Sequence, residues 1–404
     1  MEQKLAVTGL GCVSALGIGL PPFWQAVRNG ASGIRPFRVA RDAGGHVKLA
    51  AQVDLDEVAR HLPERMVMQC DPFAQFAIVA ADEAVASAQI EKTDLAGSRT
   101  AVVIGSGIGG MPTLDDGFAN FYPTMRSRMN PMTIPRIMPN AAASLVSMRF
   151  GAQGPCFAIS SACSSATQSI GMGMTLIRSG LADRALVGGA EATVTPASLR
   201  YWEALRVLTT DVPRPFSRDR SGMLLGEGAG VLLIERWDLA RDRGAPILAS
   251  LCGFGTSSDA DDLVRPRPEG AAESMRLALA DAAIAPEAVS YINAHGTATV
   301  LNDVAETSAV RLAFGSLADR LVMSSTKPVH GHALGAAGAL ETIATVMAVR
   351  EQWAPPTLNW REVDPRCDID CAPNVGRWIR IDYAINNSFA FGGINASLVV
   401  GRDT

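Results

Sequence analysis

Apolar residues fall along this chain in short runs broken by glycine, and these alternate with longer stretches rich in alanine and other small residues. Leu5–Val7 predicts a first buried strand ending in a turn, Pro21–Asn29 a helix, and Asp71–Ala88 a long alanine-rich helix. Thr100–Ile104 is a β-rich run leading into GSGIGG. Cys156 to Ile159 is a short apolar segment that runs into small residues. From Cys163 the pattern becomes a helix of Ser, Ala, Gly, Ile and Met, so this region predicts a strand, a tight turn and a buried helix. Arg184–Gly189 predicts another strand, and the glycine-rich loop RPFSRDRSGMLLGEGAG (Arg214–Gly230) leads to a strand at Val231–Glu235.

The order then starts again. Pro246–Cys252 followed by GFGTSS parallels the opening strand and turn, and Glu273–Ala283 parallels the alanine-rich helix. Val289–Asn293 ending in AHGTAT parallels Thr100–Ile104 ending in GSGIGG. GHALGAAGALETIATVMAV parallels the helix after Cys163, and Asn395–Val400 parallels Val231–Glu235. The chain therefore reads as two copies of one α/β unit, residues 1–240 and 241–404, with Trp237–Gly244 as the connection and each copy supplying a sheet layered with helices. The duplication puts Cys163 and His332 at equivalent positions, each at the N-terminus of a buried small-residue helix, so that two active groups meet at one site.

With 404 residues, 48% hydrophobic and 19% charged, the chain is long enough for a large core and more than one domain. A net charge of −4 points neither to nucleic acid nor to an anionic membrane surface. The N-terminus is apolar, yet it lacks the basic start of a signal peptide, and no apolar run reaches membrane-spanning length. Seven scattered cysteines, an odd number, suit reduced thiols and a cytoplasmic location. Cys367 and Cys371 are spaced like half a metal site, but no second pair or nearby histidine completes a tetrahedral set, and no metal is expected.

Gly105, Gly107 and Gly110 match a dinucleotide-binding fingerprint, but no Asp or Glu occurs between Asp116 and Asp183, so the ribose-binding acid is missing. The glycines fit better as a loop whose backbone passes close to a buried site. The same acid-free stretch carries Arg126, Arg128, Arg136, Arg149 and Arg178. Two readings stand: a positive field that lowers a thiol pKa and attracts an acidic partner, or an ordinary arginine-bearing surface. A helix N-terminus at Cys163 likewise favours a thiolate nucleophile.

Two of the five histidines, His295 in NAHGTAT and His332 in GHALGAAG, sit in glycine-flanked turns between apolar elements, and with Cys163 they suggest a shared catalytic site. Glu341 lies in an otherwise apolar helix and needs a partner, for which Lys327 in SSTKPVHGH is suited. Asp303 and Glu306, eight and eleven positions after His295, fall on one side of the helix that follows it, either tying Lys327 and the histidines together or forming a structural charge cluster. In NNSFAFGGINAS, Phe389 and Phe391 precede the turn glycines Gly392 and Gly393.

Taken together, ACSSA at Cys163, NAHGTAT at His295, STKPVHGHALGAAGALE from Lys327 to Glu341, RPFSRDRSGMLLGEGAG and the terminal NSFAFGGIN resemble the β-ketoacyl-[acyl carrier protein] synthase II family of condensing enzymes, over nearly the whole chain. The resemblance implies a thiolase-like α/β fold, duplicated and five-layered (α-β-α-β-α). It implies an acyltransferase that takes an acyl chain from acyl carrier protein onto Cys163 and condenses it with malonyl carrier protein as CO₂ leaves. It assigns His295 and His332 as donors to the malonyl thioester oxygen, with Lys327 beside them. Asp303, Glu306 and Glu341 hold the histidines from behind. The N–H groups of Cys163 and Phe391 form an oxyanion hole, Phe391 with Phe389 forms a gate, and Ile108, Thr133 and Met138 line the acyl pocket. No cofactor is implied beyond the phosphopantetheine that carries the substrates. The implied partners are acyl carrier protein and a dimer mate, either a second copy or a related synthase chain.

Three departures from the family pattern bear on details. Ala390 stands where the family commonly has Gly, so positive φ at the gate is harder. Thr133 replaces a common aromatic, and His330 has no counterpart and reads as a loop residue. Elongation of fatty acids and of polyketide, polyene or signal-molecule chains both stay open. Rival readings are a non-catalytic subunit of a heterodimeric synthase, which the retained Cys163 opposes, and a Cys-His-Asn hydrolase using Asn387 or Asn293.

Overall fold

The computed structural model describes residues 4–39, 41, 44–125 and 130–403. Ten strands carry the architecture: β1 Leu5–Ser14, β2 Thr100–Gly105, β3 Cys156–Phe157, β4 Arg184–Glu191, β5 Gly228–Arg236, β6 Ala249–Ser258, β7 Val289–Asn293, β8 Val322–Ser324, β9 Tyr383–Ala390 and β10 Ile394–Gly401. The helices that matter to the site are α1 Pro72–Ser87, α2 Met111–Thr124, α3 Ala141–Phe150, α4 Ser165–Arg178, α5 Pro196–Ala204, α6 Pro268–Ala282, α7 Val300–Phe314 and α8 Ala337–Glu351.

The strands run in the order β8-β7-β9-β10-β6-β1-β5-β4-β2-β3, with Gly17–Ile18 folding back on the end of β1. The order is a mirror: β3-β2-β4-β5-β1 on one side repeats as β8-β7-β9-β10-β6 on the other. In each half the three outer strands are parallel and the next two antiparallel. The halves join where β1 pairs β6 antiparallel, Leu5 opposite Leu251. Helices α1 and α3 cover one outer face and α6 and α7 the other, while α4 and α8 each touch strands of both halves and form the central layer. This is the five-layered thiolase-like α/β architecture that the resemblance implies.

The central helices explain their own composition. Every residue of α8 from Ala337 to Val349 is buried, so no polar face is possible. Small residues let the layers approach: a Cβ on Gly338 would lie 2.1 Å from Thr167 Oγ1, and one on Gly173 2.3 Å from Val187.

The predicted turns GLGCVS and GFGTSS are instead the second halves of strands β1 and β6. Their glycines are there for helix contact. A Cβ on Gly9 or Gly11 would meet Ala84 O or Ala80 O of α1 at 2.0 Å, and one on Gly253 or Gly255 would meet Ala278 O or Ser274 O of α6 at 2.2 and 2.0 Å. The two glycine pairs make the same contact in each half, because a strand can lie directly on a helix backbone only where Cβ is missing. The predicted strand at Cys156–Ile159 is shorter, ending at Phe157 before the chain turns toward Cys163. Trp237–Gly244 contains a short helix, Trp237–Asp242, that leads from β5 to the strand of the other half.

Candidate active site

Cys163 sits in a one-turn 3₁₀ segment, Ala162–Ser164, between β3 and α4. The turn forces Ala162 into the left-handed region at φ 49°, and its counterpart before α8 does the same to Leu334 at φ 46°. The paired strain sets the internal alignment. Ala162 corresponds to Leu334, so Cys163 corresponds to Gly335, and the expected equivalence of Cys163 with His332 is off by three residues.

His332 reaches the sulfur from an extended stretch ahead of that turn, clamped to the glycine-rich loop before β5: its N–H donates to Leu224 O at 2.8 Å and its carbonyl accepts from Gly226 N at 2.9 Å. Its Nε2 lies 3.1 Å from Cys163 Sγ. His295 follows β7, and its ring stands edge-on to that of His332 with centroids 5.4 Å apart. The sulfur and one ring nitrogen from each histidine lie within 4.8 Å of one another. Such a donor set could take a soft cation, but the Lys327 ammonium close beside it opposes a second positive charge.

Lys327 Nζ donates to His295 O at 2.5 Å, lies 3.3 Å from His295 Nδ1 and pairs with Glu341 Oε1. Because an ammonium can only donate, His295 Nδ1 accepts, and the ring proton is on Nε2. Glu306 takes the N–H groups of His295 and Gly296 at 2.8 and 2.7 Å. Asp303 takes those of Ala298 and Phe216 at 3.2 and 2.8 Å and faces buried Arg220, which bonds Asp364 at 2.7 Å. Asp303 therefore braces the loop, and Glu306 fixes the backbone of the histidine itself.

Electrostatics differ from the sequence expectation. Burial pushes the Cys163 thiol up to about 12; Lys327 and the Phe391 N–H oppose this, while Glu341 and Glu191 reinforce it. Arg149 pairs with Asp82 and Arg178 with Asp281, Arg136 approaches Cys70 O, and none of them acts on the thiol. Arg126 and Arg128 lie outside the described residues. Burial is the largest influence on the thiol, and the first turn of α4 begins two residues after the sulfur. Burial, then Lys327, holds both His295 and His332 well below the ordinary imidazole range, so the rings are neutral. His330 is no loop residue. It is fully buried at the end of the short helix Lys327–His330 with Nε2 3.0 Å from Thr326 Oγ1, and burial drives it down to about 3.

A cavity of about 280 Å³ leads from the surface to Cys163, His295 and His332, lined by Trp202, Thr297, Phe389 and Phe391 among others. Phe389 packs its ring 6.1 Å from that of His295. Ala390 ends β9 opposite Ile394 with ordinary negative φ, while Gly392 and Gly393 take the positive values, 83° and 66°. The alanine therefore imposes no strain in this arrangement. Ile108, Thr133 and Met138 are not on this cavity: Ile108 and Met138 are exposed and Thr133 opens a short helix, Thr133–Ile137.

Sequence reasoning missed Glu191 and Trp202. Glu191, at the end of β4, accepts from Gly107 N at 2.7 Å, Gly335 N at 3.0 Å, Ser106 Oγ at 3.1 Å and Ile108 N at 3.3 Å. It joins the GSGIGG loop of one half to the turn before α8 of the other. The glycines do let backbone pass close: a Cβ on Gly105 would lie 2.6 Å from Ser165 O. The acid that those glycines accompany is thus a distant carboxylate serving as a backbone acceptor.

A thiol and two neutral imidazoles at the end of a cavity, on a duplicated α/β fold, define a thiolase-fold condensing enzyme. The chain belongs to the β-ketoacyl synthase family: residues 2–240 match the model of its N-terminal domain and residues 248–361 that of its C-terminal domain. It is 40% identical to nodulation protein E of Rhizobium sp. (strain N33), over 98% of this chain and 99% of that protein. It is 39% identical to 3-oxoacyl-[acyl-carrier-protein] synthase 2 of Coxiella burnetii, over 99% of each. Among solved structures, the ishigamide ketosynthase/chain length factor superposes with a TM-score of 0.95 at 33% identity, covering all of both chains. The type II polyketide ketosynthase of AntDE:AntF, solved with its acyl-carrier protein, superposes at 0.91 and 30%, again over both full chains.

Proposed function

We propose that this chain forms a carbon–carbon bond by decarboxylative Claisen condensation between an acyl group on Cys163 and a malonyl group on acyl carrier protein. The observation that carries it is the 3.1 Å approach of His332 Nε2 to Cys163 Sγ with the His295 ring beside them at the end of one cavity.

In the first half-reaction the Cys163 sulfur attacks the thioester carbon of an acyl carrier protein, and the carrier's phosphopantetheine thiol leaves with a proton. The N–H groups of Cys163 and Phe391 are the donors for the oxyanion. In the second, malonyl thioester loses CO₂; the electron pair of that C–C bond becomes an enolate whose oxygen His295 Nε2–H and His332 stabilise. The enolate carbon then attacks the acyl carbon on Cys163, the C–S bond breaks, and the β-ketoacyl product remains on the carrier. Neutral imidazoles suit this task because they donate without handing a proton to the enolate, and each fixed donor can contribute roughly 3–4 kcal/mol. Lys327 keeps His295 in the donating tautomer, and Glu341 compensates the ammonium. No cofactor enters either half; the acyl groups travel on phosphopantetheine.

Arg206 and Arg265 stand at the cavity mouth with Leu205, Val264 and Leu301, a cationic and apolar rim suited to an acidic carrier protein. Seven unpaired cysteines suit a reducing cytoplasm, and no helix among the described residues is long and apolar enough to cross a membrane. The exposed apolar side chains of Ile108, Phe118, Tyr122, Ile134 and Met138 fall in one stretch, which supports a dimer mate there. The likeness to a ketosynthase/chain length factor favours a related chain as that mate and a specialised acyl chain as the product.

A hydrolase is disfavoured because neither candidate asparagine orients a ring. Asn387 accepts from Ser397 Oγ at 2.8 Å, and Asn293 donates to Glu341 O at 3.2 Å. The test is intact-protein mass spectrometry with a panel of acyl carrier proteins. An adduct on Cys163 that persists until malonyl carrier protein is added supports condensation; one that decays in water alone overturns it.

A further inference from the structure

Phe391, the gate in the reading above, sits at the tip of the hairpin between β9 and β10, with its own N–H directed at the Cys163 sulfur. Two contacts hold this tip. On the backbone side, Gly392 N donates to Leu263 O at 2.7 Å. On the ring side, the indole of Trp202, half-buried on α5, lies against the Phe391 ring with centroids 6.0 Å apart and planes 21° from parallel. Both rings line the cavity that ends at Cys163. Packing around the two glycines differs: a Cβ on Gly393 would lie 2.5 Å from the Asp259 side chain, whereas one on Gly392, at φ 83°, would meet only Ile394 at 3.7 Å. Displacing the Phe391 ring from the cavity separates it from Trp202.

We propose that Trp202 is a positioning residue that holds the Phe391 ring in the closed arrangement, so that admitting an acyl chain requires breaking this stack. The proposal rests on the gate reading of Phe391. An offset-stacked aromatic pair biases such an equilibrium by a few-fold to about tenfold. Trp202 then acts on the order of events: the closed ring bars the sulfur until a suitable acyl carrier displaces it.

The test compares Trp202→Ala, Trp202→Phe and Phe391→Ala with the wild-type chain. Two rates are measured: acyl transfer from acyl carrier protein to Cys163 by quenched-flow mass spectrometry, and CO₂ release from malonyl carrier protein without an acyl primer. Trp202→Ala is expected to raise both about three- to tenfold, Trp202→Phe to stay near wild type, and Trp202→Ala to add nothing in a Phe391→Ala background. A purely structural role at the cavity mouth moves neither rate upward. If Phe391→Ala raises both rates while Trp202→Ala matches wild type or slows loading, the latch is overturned and the gate stands. If Phe391→Ala changes nothing, the gate reading falls and the latch with it. Melting curves of the three variants identify any loss of fold; a Trp202→Ala protein that unfolds transfers the decision to Trp202→Leu, judged by the same two rates.

Discussion

The ammonium of Lys327 stands 3.3 Å from Nδ1 of His295 and is itself bound by that histidine's carbonyl oxygen. One side chain thereby sets the tautomer, the position and the charge of the imidazole, since its positive charge also helps hold the ring below its ordinary pKa.

Replacing Lys327 by Met should lower condensation about 10- to 100-fold, the usual cost of removing a group that orients a catalytic ligand. Primer-independent malonyl decarboxylation should fall in parallel, and acyl transfer to Cys163 should slow as well, because the Lys327 charge opposes the rise of the thiol. The sign of the pH effect follows from Lys327 depressing both imidazoles: without it their pKa values rise toward the ordinary range. The acid limb of the rate profile should move to higher pH. A limb at the wild-type position would refute the assignment.

Glu341→Ala leaves the Lys327 ammonium buried without its counter-charge, and breaking one side of such a pair costs about 3–5 kcal/mol. Urea unfolding should show that loss. The double variant Lys327→Met/Glu341→Ala should recover part of it, because no unpaired charge remains; a strictly additive double variant would contradict the pairing.

With its thiol pushed up to about 12, Cys163 should react with iodoacetamide about tenfold faster per pH unit between pH 7 and 10, without a plateau. A plateau below pH 8 would mean that the N-terminal turn of α4 outweighs burial. The site of alkylation is read by peptide mapping.

Glu191→Leu removes the acceptor shared by Gly107 N, Gly335 N and Ile108 N, leaving the buried Gly335 donor and two part-buried donors unpaired. At about 1–3 kcal/mol for a buried donor left alone, the melting temperature should drop by several degrees. Acyl transfer should fall as well, since the turns on both sides of Cys163 lose a common support. Unchanged melting would show that the carboxylate braces nothing.

Gly253→Ala places a methyl group 2.2 Å from Ala278 O of α6 and should cost about 3 kcal/mol or more. Gly244→Ala, where no atom lies within 4 Å of the added carbon, is the space control, although its φ of 67° adds strain of its own. Comparable losses from the two would place the cost in backbone conformation instead of helix contact.

Much of this protein was legible from its residues alone. The succession of strands and small-residue helices, and its repetition after residue 240, follow from local hydrophobic periodicity, which a chain carries in its own order. The pairing of Lys327 with Glu341 was legible because a carboxylate in an apolar helix has few ways to be satisfied. What the tertiary structure alone decided is where backbone meets backbone. Gly9, Gly11, Gly253 and Gly255 looked like turn residues because glycine's missing side chain reads the same in a turn as on a strand pressed to a helix. The three-residue offset between Cys163 and His332, the support from Glu191 across both halves, and the raised thiol all depend on desolvation and on contacts between residues more than eighty positions apart. No local pattern encodes those distances; only packing two sheet halves around α4 and α8 creates them.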